Sequence, residues 1–423
     1  MKYLIITLLL LGIHFVGAYD FELVAQETRF EFVEGYETNA FLFNNEYPGP
    51  LIRGVEGETI AVKVHNNLSV PTSIHWHGLK VHNMFDGVPE VTQEPIMPGE
   101  EFVYELNLSL PGVYWYHSHF DTNKQVEKGL KGPIIIEKKD DPYKHIPEKV
   151  LFLDDVLIDN GYFASFNIGL VHGRFGNNYV LNGENFLEMN LPKGYSRLRL
   201  INGANARTFN LRFDDAHVAV IGENIGFLPE PYEAQTVTVT PSDRKDILIY
   251  SEGESASIVH EHITGDVDLG SISFGEEEVE HVRLEGFEDE ITSFSPHYED
   301  VDFEVRLRGD MVGGQVTWMI NDKHNREGLD NVEIFELNKN RLYIGKIINT
   351  QGEPHPMHMH GQVMLPLKRN DDGVDEFWTD TIYVNGGETV EFAILPDNKG
   401  DWAFHCHTLE HAKAGMTSLV RVV

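Results

Sequence analysis

The sequence predicts an all-β chain of three units, each a sandwich or Greek-key barrel, and three observations carry that expectation. Short alternating runs bounded by Gly, Pro and Asn recur along the chain, as at 60–65, 102–106 and 197–201, which is the period of half-buried strands. Sustained 3.6-residue periodicity is almost absent, so helices are not expected to build the cores. The 423 residues, 41% hydrophobic and 11% aromatic, are too many for one small domain and too apolar for wholesale disorder.

In chain order, residues 1–18 read as a cleaved signal peptide. Lys2 precedes an apolar run over 3–15, and the small residues Val16, Gly17 and Ala18 stand before Tyr19. The run is shorter than the ~20 apolar residues a membrane span needs, and no later segment is long and apolar enough to span. The mature chain is expected to be exported, periplasmic or extracellular. A first unit covers 19–138 and ends at the Lys138-Lys-Asp-Asp-Pro142 break. A second covers 139–275, its first strand carried by Val150-Leu-Phe-Leu-Asp-Asp155. The acidic stretch 276–299, headed by Glu276-Glu-Glu-Val-Glu280, is expected to be a solvated linker. A third unit covers 300–423.

Composition narrows the function classes. With 67 Asp plus Glu against 33 Lys plus Arg, the formal charge is −34, which makes nucleic acid and anionic lipid surfaces poor candidate partners. Cys406 is the only cysteine, so no intramolecular disulfide can form. A lone cysteine in an oxidising compartment is either buried and inert or held as a thiolate by a metal.

The histidines decide between these. Ten of the 21 fall into four clusters: His75-Trp-His77, His117-Ser-His119, the run from His355 through His358 and His360, and His405-Cys-His407 with His411 behind it. On a strand, residues two apart share a face, so each His-x-His pair can converge on one site. Cys406 then points away from His405 and His407. If 355–360 is extended, His358 and His360 share a face and His355 falls opposite, with Cys406. His411 and Met416 follow in a loop that can fold back. Two sites therefore sit back to back. One combines His355, Cys406, His411 and a weak axial Met416, a donor set suited to blue copper. The other gathers eight imidazoles, more than one ion takes, and without carboxylates it suits several copper ions rather than magnesium or calcium. Zinc accepts Cys and His too, but the Cys-His-His-Met set argues against it. Met357, Met359 and Met364 are expected to pack in the core, and His260-Glu-His262 to be solvated.

These residues resemble the four copper motifs of the multicopper oxidases. The likeness covers essentially the whole mature chain and extends, in the manner of the three-domain bacterial and archaeal laccase-like members, to Trp115-Tyr-His-Ser-His119, Gly173-Arg-Phe-Gly176, Leu181-Asn-Gly183 and Trp378-Thr-Asp-Thr381. It implies three cupredoxin-like Greek-key β-sandwich domains and four copper ions: one type 1, one type 2 and a type 3 pair. By motif, His355, Cys406, His411 and Met416 would hold type 1 copper. His75 and His358 would hold type 2. His77, His117, His119, His360, His405 and His407 would hold the type 3 pair. The resemblance further implies oxidation of a phenolic or similar small donor, four electrons at a time, coupled to reduction of O2 to water. Electrons would travel from Cys406 through His405 and His407.

The alternatives are a Cu(I) or Fe(II) metallo-oxidase serving copper homeostasis and a non-catalytic copper-binding envelope protein. The partners are O2 and a small-molecule or metal-ion donor, and a monomer is expected. Departures from the family pattern are Met357 and Met359 in the third motif, the lack of a Met-rich insert, and Ala412 where relatives carry an acid. Turning O2 into water consumes protons, and Asp86, in an Asp-Gly turn after the His75-Trp-His77 strand, is the expected donor, with Glu410 able to share the role.

Overall fold

The alternation read from the sequence becomes burial in space. In the strand Thr59–Asn67, Ile60, Val62 and Val64 enter the core while the residues between them do not, as the two-residue period of a strand requires. The computed structural model describes residues 19–278, 284, 300–326, 328–370, 373 and 377–423. The expected signal peptide and nearly all of the expected acidic linker lie outside these. Within them the chain is almost all β, arranged as three pairs of larger sheets and one two-stranded sheet, Ile158–Asp159 with Tyr162–Phe163.

In the first pair, the sheet containing Tyr36–Phe43, Phe21–Val33, Thr59–Asn67 and Glu101–Asn107 faces the sheet of Ile52–Val55, Lys131–Glu137, Gly112–Ser118 and Ile74–His77. Phe21–Val33 pairs in parallel with Thr59–Asn67 but antiparallel with Tyr36–Phe43, the mixed pairing that long Greek-key connections produce. Leu23, Val62, Trp76, Tyr104 and Tyr116 fill the space between the two sheets. The second pair is built on six and five strands around Leu198, Leu211, Val220 and Ile258. In it the strand Val267–Glu278 continues to Glu278, with Lys193 as its parallel neighbour there. Backbone pairing does not depend on side-chain charge, so the first three acidic residues after 275 extend the ladder.

The third pair carries His355–Met359, Gly400–Cys406, Thr381–Val384 and Thr417–Val422 in one sheet. Met357, Met359 and Met364 pack in its core, as expected. Val363, Leu365, Trp378 and Ala393 from this region join the core cluster of the first pair, so the two share one apolar seam. Helix among the described residues is confined to short turns such as Thr122–Gln125 and Leu409–Lys413. His411 was expected in a loop and lies in the second of these. The turn of helix folds it back toward Cys406 as the loop was expected to do.

Candidate metal centre

Strand pairing sets the site. His75 lies opposite His117, and His358 lies between His405 on one neighbouring strand and Thr381 on the other. Trp76, between His75 and His77, points into the first sandwich, fully buried. Eight imidazoles thus meet across the seam between the first and third sheet pairs. His75 stacks on His360 and His77 on His358, each with ring centroids 3.7 Å apart.

Six of the eight rings are held by one nitrogen and offer the other. His75 donates from Nδ1 to the Asp86 carbonyl at 2.8 Å, His117 to the Ser118 carbonyl at 2.9 Å, His358 to the Asp380 carbonyl at 3.0 Å and His405 to the Cys406 carbonyl at 2.9 Å. Their Nε2 atoms are then lone-pair donors, and they face one another. His75 and His358 are 3.2 Å apart, His360 and His405 3.0 Å, and His117 and His407 3.4 Å. His77 reverses the pattern, with Nε2 bound to Asp380 and Nδ1 buried without a partner. Burial first, then the neighbouring imidazoles, hold His77, His117, His119, His360 and His407 well below the usual histidine pKa, with His405 at about 3.

Neutral lone pairs aimed at each other over such distances repel unless a cation lies between them. Donors about 2.0 Å from a shared ion in near-tetrahedral array stand about 3.3 Å apart, so the spacing fits metal. Donor atoms lie within 4.8 Å of one another in the sets His75/His77/His358, His77/His117/His407 and His119/His360/His405. An open pocket of about 280 Å³, lined in part by His117, His119, His405 and His407, reaches this cluster.

Cys406 serves the other face. Its Sγ is 3.5 Å from His355 Nδ1 and 3.6 Å from His411 Nδ1, and those two nitrogens are 3.1 Å apart. Burial pushes the thiol up to about 12 and holds His411 down at about 4, so both imidazoles are ready as neutral donors and the thiol would be ionised by the metal it binds. Met416 is buried beside them, its carbonyl accepting from the Cys406 amide at 3.1 Å. The Trp318 ring lies 4.2 Å from that of His411. His411 donates from Nε2 to the Val171 carbonyl at 2.8 Å, which leaves Nδ1 free to face Cys406.

Family models described as multicopper oxidase match residues 24–141 and 300–423, the two stretches that carry all of these histidines. The chain belongs to the multicopper oxidase family. It is therefore a copper-dependent oxidoreductase that uses O2 as electron acceptor. A multicopper oxidase of Staphylococcus epidermidis is 27% identical to it, the alignment covering 96% of this chain and 89% of that one. The solved multicopper oxidase of Pseudomonas thermotolerans superposes with a TM-score of 0.85 at 25% identity, over 95% of this chain and 98% of that one. A Campylobacter jejuni multicopper oxidase described as a metallo-oxidase gives 0.83 at 27%, over 95% and 90%. A laccase-like enzyme of Ochrobactrum, described as active on lignin model compounds, gives 0.84 at 26%, over 95% and 96%.

The acidic residues of this multicopper oxidase are arranged in a way the sequence reading caught only partly. Asp86 sits at the cluster as expected. Its Oδ2 accepts from His360 Nδ1 at 2.9 Å, while Oδ1, buried and 3.3 Å from His75 Nδ1, makes no hydrogen bond. The turn can lie this close because residue 87 is glycine: at φ +84°, a Cβ would fall 1.8 Å from the Ile74 carbonyl oxygen. Glu410 is bound to the second sheet pair instead. Its Oε2 accepts from Asn205 at 2.7 Å and from the Arg174 amide at 3.2 Å, and burial raises its pKa.

Two functional residues escaped the sequence reading. Asp380 accepts from His77 Nε2 at 3.0 Å, and Arg244, from the second sheet pair, grips its carboxylate with both terminal nitrogens. Burial would raise the Asp380 pKa, but Arg244 and the two histidines outweigh it and hold the carboxyl well below its usual range. Asp380 lay inside the quoted Trp378-Thr-Asp-Thr381 motif, a signal that was available. Arg244 carries none, because only the fold brings it within reach.

His260, expected to be solvated, is instead buried against Tyr179 and Phe209, and His262 beside it is half-buried.

Proposed function

We propose that this oxidase is laccase-like, oxidising phenols and similar small donors one electron at a time at a type 1 copper that His355, Cys406, His411 and Met416 would hold. His75 and His358 would hold a type 2 copper. His77, His117 and His407, with His119, His360 and His405, would hold a type 3 pair. The single observation that carries this reading is the pair of donor sets on opposite faces of one strand end, joined by the consecutive residues His405, Cys406 and His407. Copper supplies the one-electron chemistry and the reduction of O2 to water. The chain supplies fixed tautomers, a dry surround and protons. Asp86, hydrogen-bonded to His360 and with one buried oxygen free, suits the role of proton donor. The pocket beside His119 suits the entry of O2 and the exit of water.

A second reading, oxidation of Cu(I) or Fe(II), is favoured by the charge of −34, which concentrates cations at the surface, and by the metallo-oxidase description of the Campylobacter relative. In either case we take the chain to be exported and monomeric. The test is anaerobic copper loading followed by air: four coppers per chain and a blue band are expected, with O2 uptake compared between hydroquinone, Cu(I) and Fe(II). A colourless protein or a stoichiometry near one overturns the copper assignment, and the faster donor decides between the two readings.

A further inference from the structure

The second sheet pair supplies none of the metal donors described above, yet it carries a histidine pair of the same form. His260 ends the strand Ser255–His260, and His262 follows it into the turn that leads to the strand Val267–Glu278. Their rings stand 5.7 Å apart, against 5.9 Å for His75 with His77 and 5.9 Å for His405 with His407. His260 is only 1% exposed. Its Nδ1 lies against the Asn210 main chain, 3.2 Å from the amide and 3.4 Å from the carbonyl oxygen, and its Nε2 is buried without a partner. In the metal centre, His77 Nδ1 and His119 Nε2 are buried and unpaired in the same way. A buried polar atom left unpaired is costly, so the groups around His260 matter. Tyr179 and Phe209 set their rings against it, and the Tyr179 hydroxyl is engaged by Arg207. The third ring beside it is His262, whose Nδ1 can donate to the Thr264 hydroxyl at 2.8 Å and so leave Nε2 open. Burial lowers the His260 pKa, which keeps that ring neutral at pH 7. With its proton on Nδ1, toward the Asn210 carbonyl, Nε2 carries the lone pair. The charge nearby favours a cation. Three carboxylates, Asp214, Glu261 and Asp266, share the single guanidinium of Arg212, and Arg207 is paired with Asp155.

We infer that His260 and His262 bind one further divalent transition-metal ion, Cu(II) in preference to others, at a site separate from the copper centre. Two imidazoles without a thiolate suit Cu(II) above the other first-row divalent ions. Water fills the rest of the coordination, and Asp266, on the same turn and acting electrostatically on His260, is placed to offer a carboxylate oxygen. Without a thiolate the ion adds no blue band. Because His262 is half-buried and stands in a turn rather than between sheets, this ion exchanges with solution and is stripped by desalting, whereas the ions enclosed at the seam are retained. The excess of carboxylates around Arg212 raises the local concentration of cations, so the second sheet pair holds copper loosely at the surface of a protein whose other sheet pairs hold it tightly inside.

The experiment is a calorimetric titration of the copper-loaded, desalted protein with Cu(II) and, separately, with Zn(II). One further Cu(II) should bind per chain, more tightly than Zn(II). His262→Ala, at a half-buried turn position, should weaken that binding about 10–100-fold, since even a partner one step removed from a metal carries that much. His217→Ala removes an exposed histidine elsewhere on the same sheet pair and should leave the binding unchanged. Electron paramagnetic resonance of the added ion should show nitrogen couplings from two imidazoles in the wild type and from one in His262→Ala. The blue absorption and O2 uptake should be equal in both proteins, because neither ring belongs to the copper centre. Added Cu(II) should also protect His260 and His262 from diethyl pyrocarbonate, read by mass spectrometry of the 255–267 peptide, which judges the site whatever the copper content of the centre. A wild type that takes up no further Cu(II) and gains no protection overturns the site, as does uptake that is unchanged in His262→Ala or lost in His217→Ala.

Discussion

On one face of the strand Gly400–Cys406, His405 joins seven other imidazoles; on the other, Cys406 joins two. Four of the eight are oriented by main-chain carbonyls, and two by carboxylates tied to all three sheet pairs: His360 by Asp86 from the first and His77 by Asp380 from the third, with Arg244 from the second holding Asp380. The three are oriented by main chain and packing alone, with the Val171 carbonyl on His411 and Trp318 against both rings. The larger set is assembled from separate parts of the chain, so it needs fixed charges to hold ring orientation across a seam. The smaller set is nearly local in one sandwich. Breaking the first should disturb chemistry with O2 and the stability of the seam, and breaking the second should disturb colour and electron entry.

The largest effect is expected at the residue both sets share through the backbone. Cys406→Ser should abolish the blue absorption and lower oxidase turnover by about a thousandfold or more, at least about 4 kcal/mol in barrier. His358→Ala should abolish turnover too but keep the blue band, since its donor atom lies on the cluster face. Loss of the band in a folded His358→Ala protein would show that the two faces are not separate. Absorption spectra and O2 uptake at equal copper content read both outcomes.

Next comes the carboxylate that links three sheet pairs. Asp380→Asn should lower copper affinity or turnover by about 10–100-fold, the usual cost of losing a partner that orients a metal-binding imidazole, and leave the blue band in place. It also strips Arg244 of its countercharge, so stability should fall by about 3–5 kcal/mol, as for other broken buried pairs. Denaturant melts of the apo protein measure this directly. A melt identical to wild type would mean that Arg244 is satisfied by the Val113 and Ser242 carbonyls alone.

Asp86→Asn should act more narrowly, slowing reoxidation of the fully reduced enzyme by O2 about tenfold while reduction of the blue site by donor keeps its rate. Ala412→Glu in that background should restore part of the loss. Stopped-flow traces of the two half-reactions separate them, and equal slowing of both would assign Asp86 to holding His360 rather than to moving protons.

The contrast between the two faces also explains what could be read from the sequence. The structure brings the ten clustered histidines and Cys406 together in the two groups that strand parity assigned, because the two-residue period is local and the sheets here preserve it from His75 to His407. Asp86 was within reach for the same reason, being close in sequence to His75. The Asp380–Arg244 pair and the Val171 carbonyl were not, since they act through contacts between residues 136 and 240 positions apart, and a backbone carbonyl leaves no mark on residue type. Glu410 was found by sequence adjacency to His411, but its hydrogen bonds turn toward Asn205 and Arg174, a direction that a helical turn sets and a sequence does not display.

The last effect concerns acid. Burial holds seven cluster-side histidines and two on the Cys406 side below the ordinary value of about 6.5, with His405 at about 3 and His411 at about 4. The folded apo protein therefore keeps them neutral at a pH where the unfolded chain protonates them. The unfolded state binds more protons, so stability rises with pH across this window and is lost on acidification. It should be complete above about pH 6.5 and decline toward pH 4 by about 1 kcal/mol per unit for each histidine that stays neutral in the fold. Glu127, Asp154, Asp155 and Glu410, whose pKa values burial raises, work in the opposite sense, since the fold takes up their protons first, and they offset part of the slope. Histidines outnumber these carboxyls, so the net change is a falling melting temperature from pH 6.5 to 4. Copper should flatten the curve at its upper end, because an ion bound only by the native state competes with protons for the same nitrogens. Calorimetry of apo and loaded protein across that range tests the sign. A melting temperature that rises as the pH falls would mean that the carboxyls dominate and that the imidazoles are less enclosed than their burial indicates.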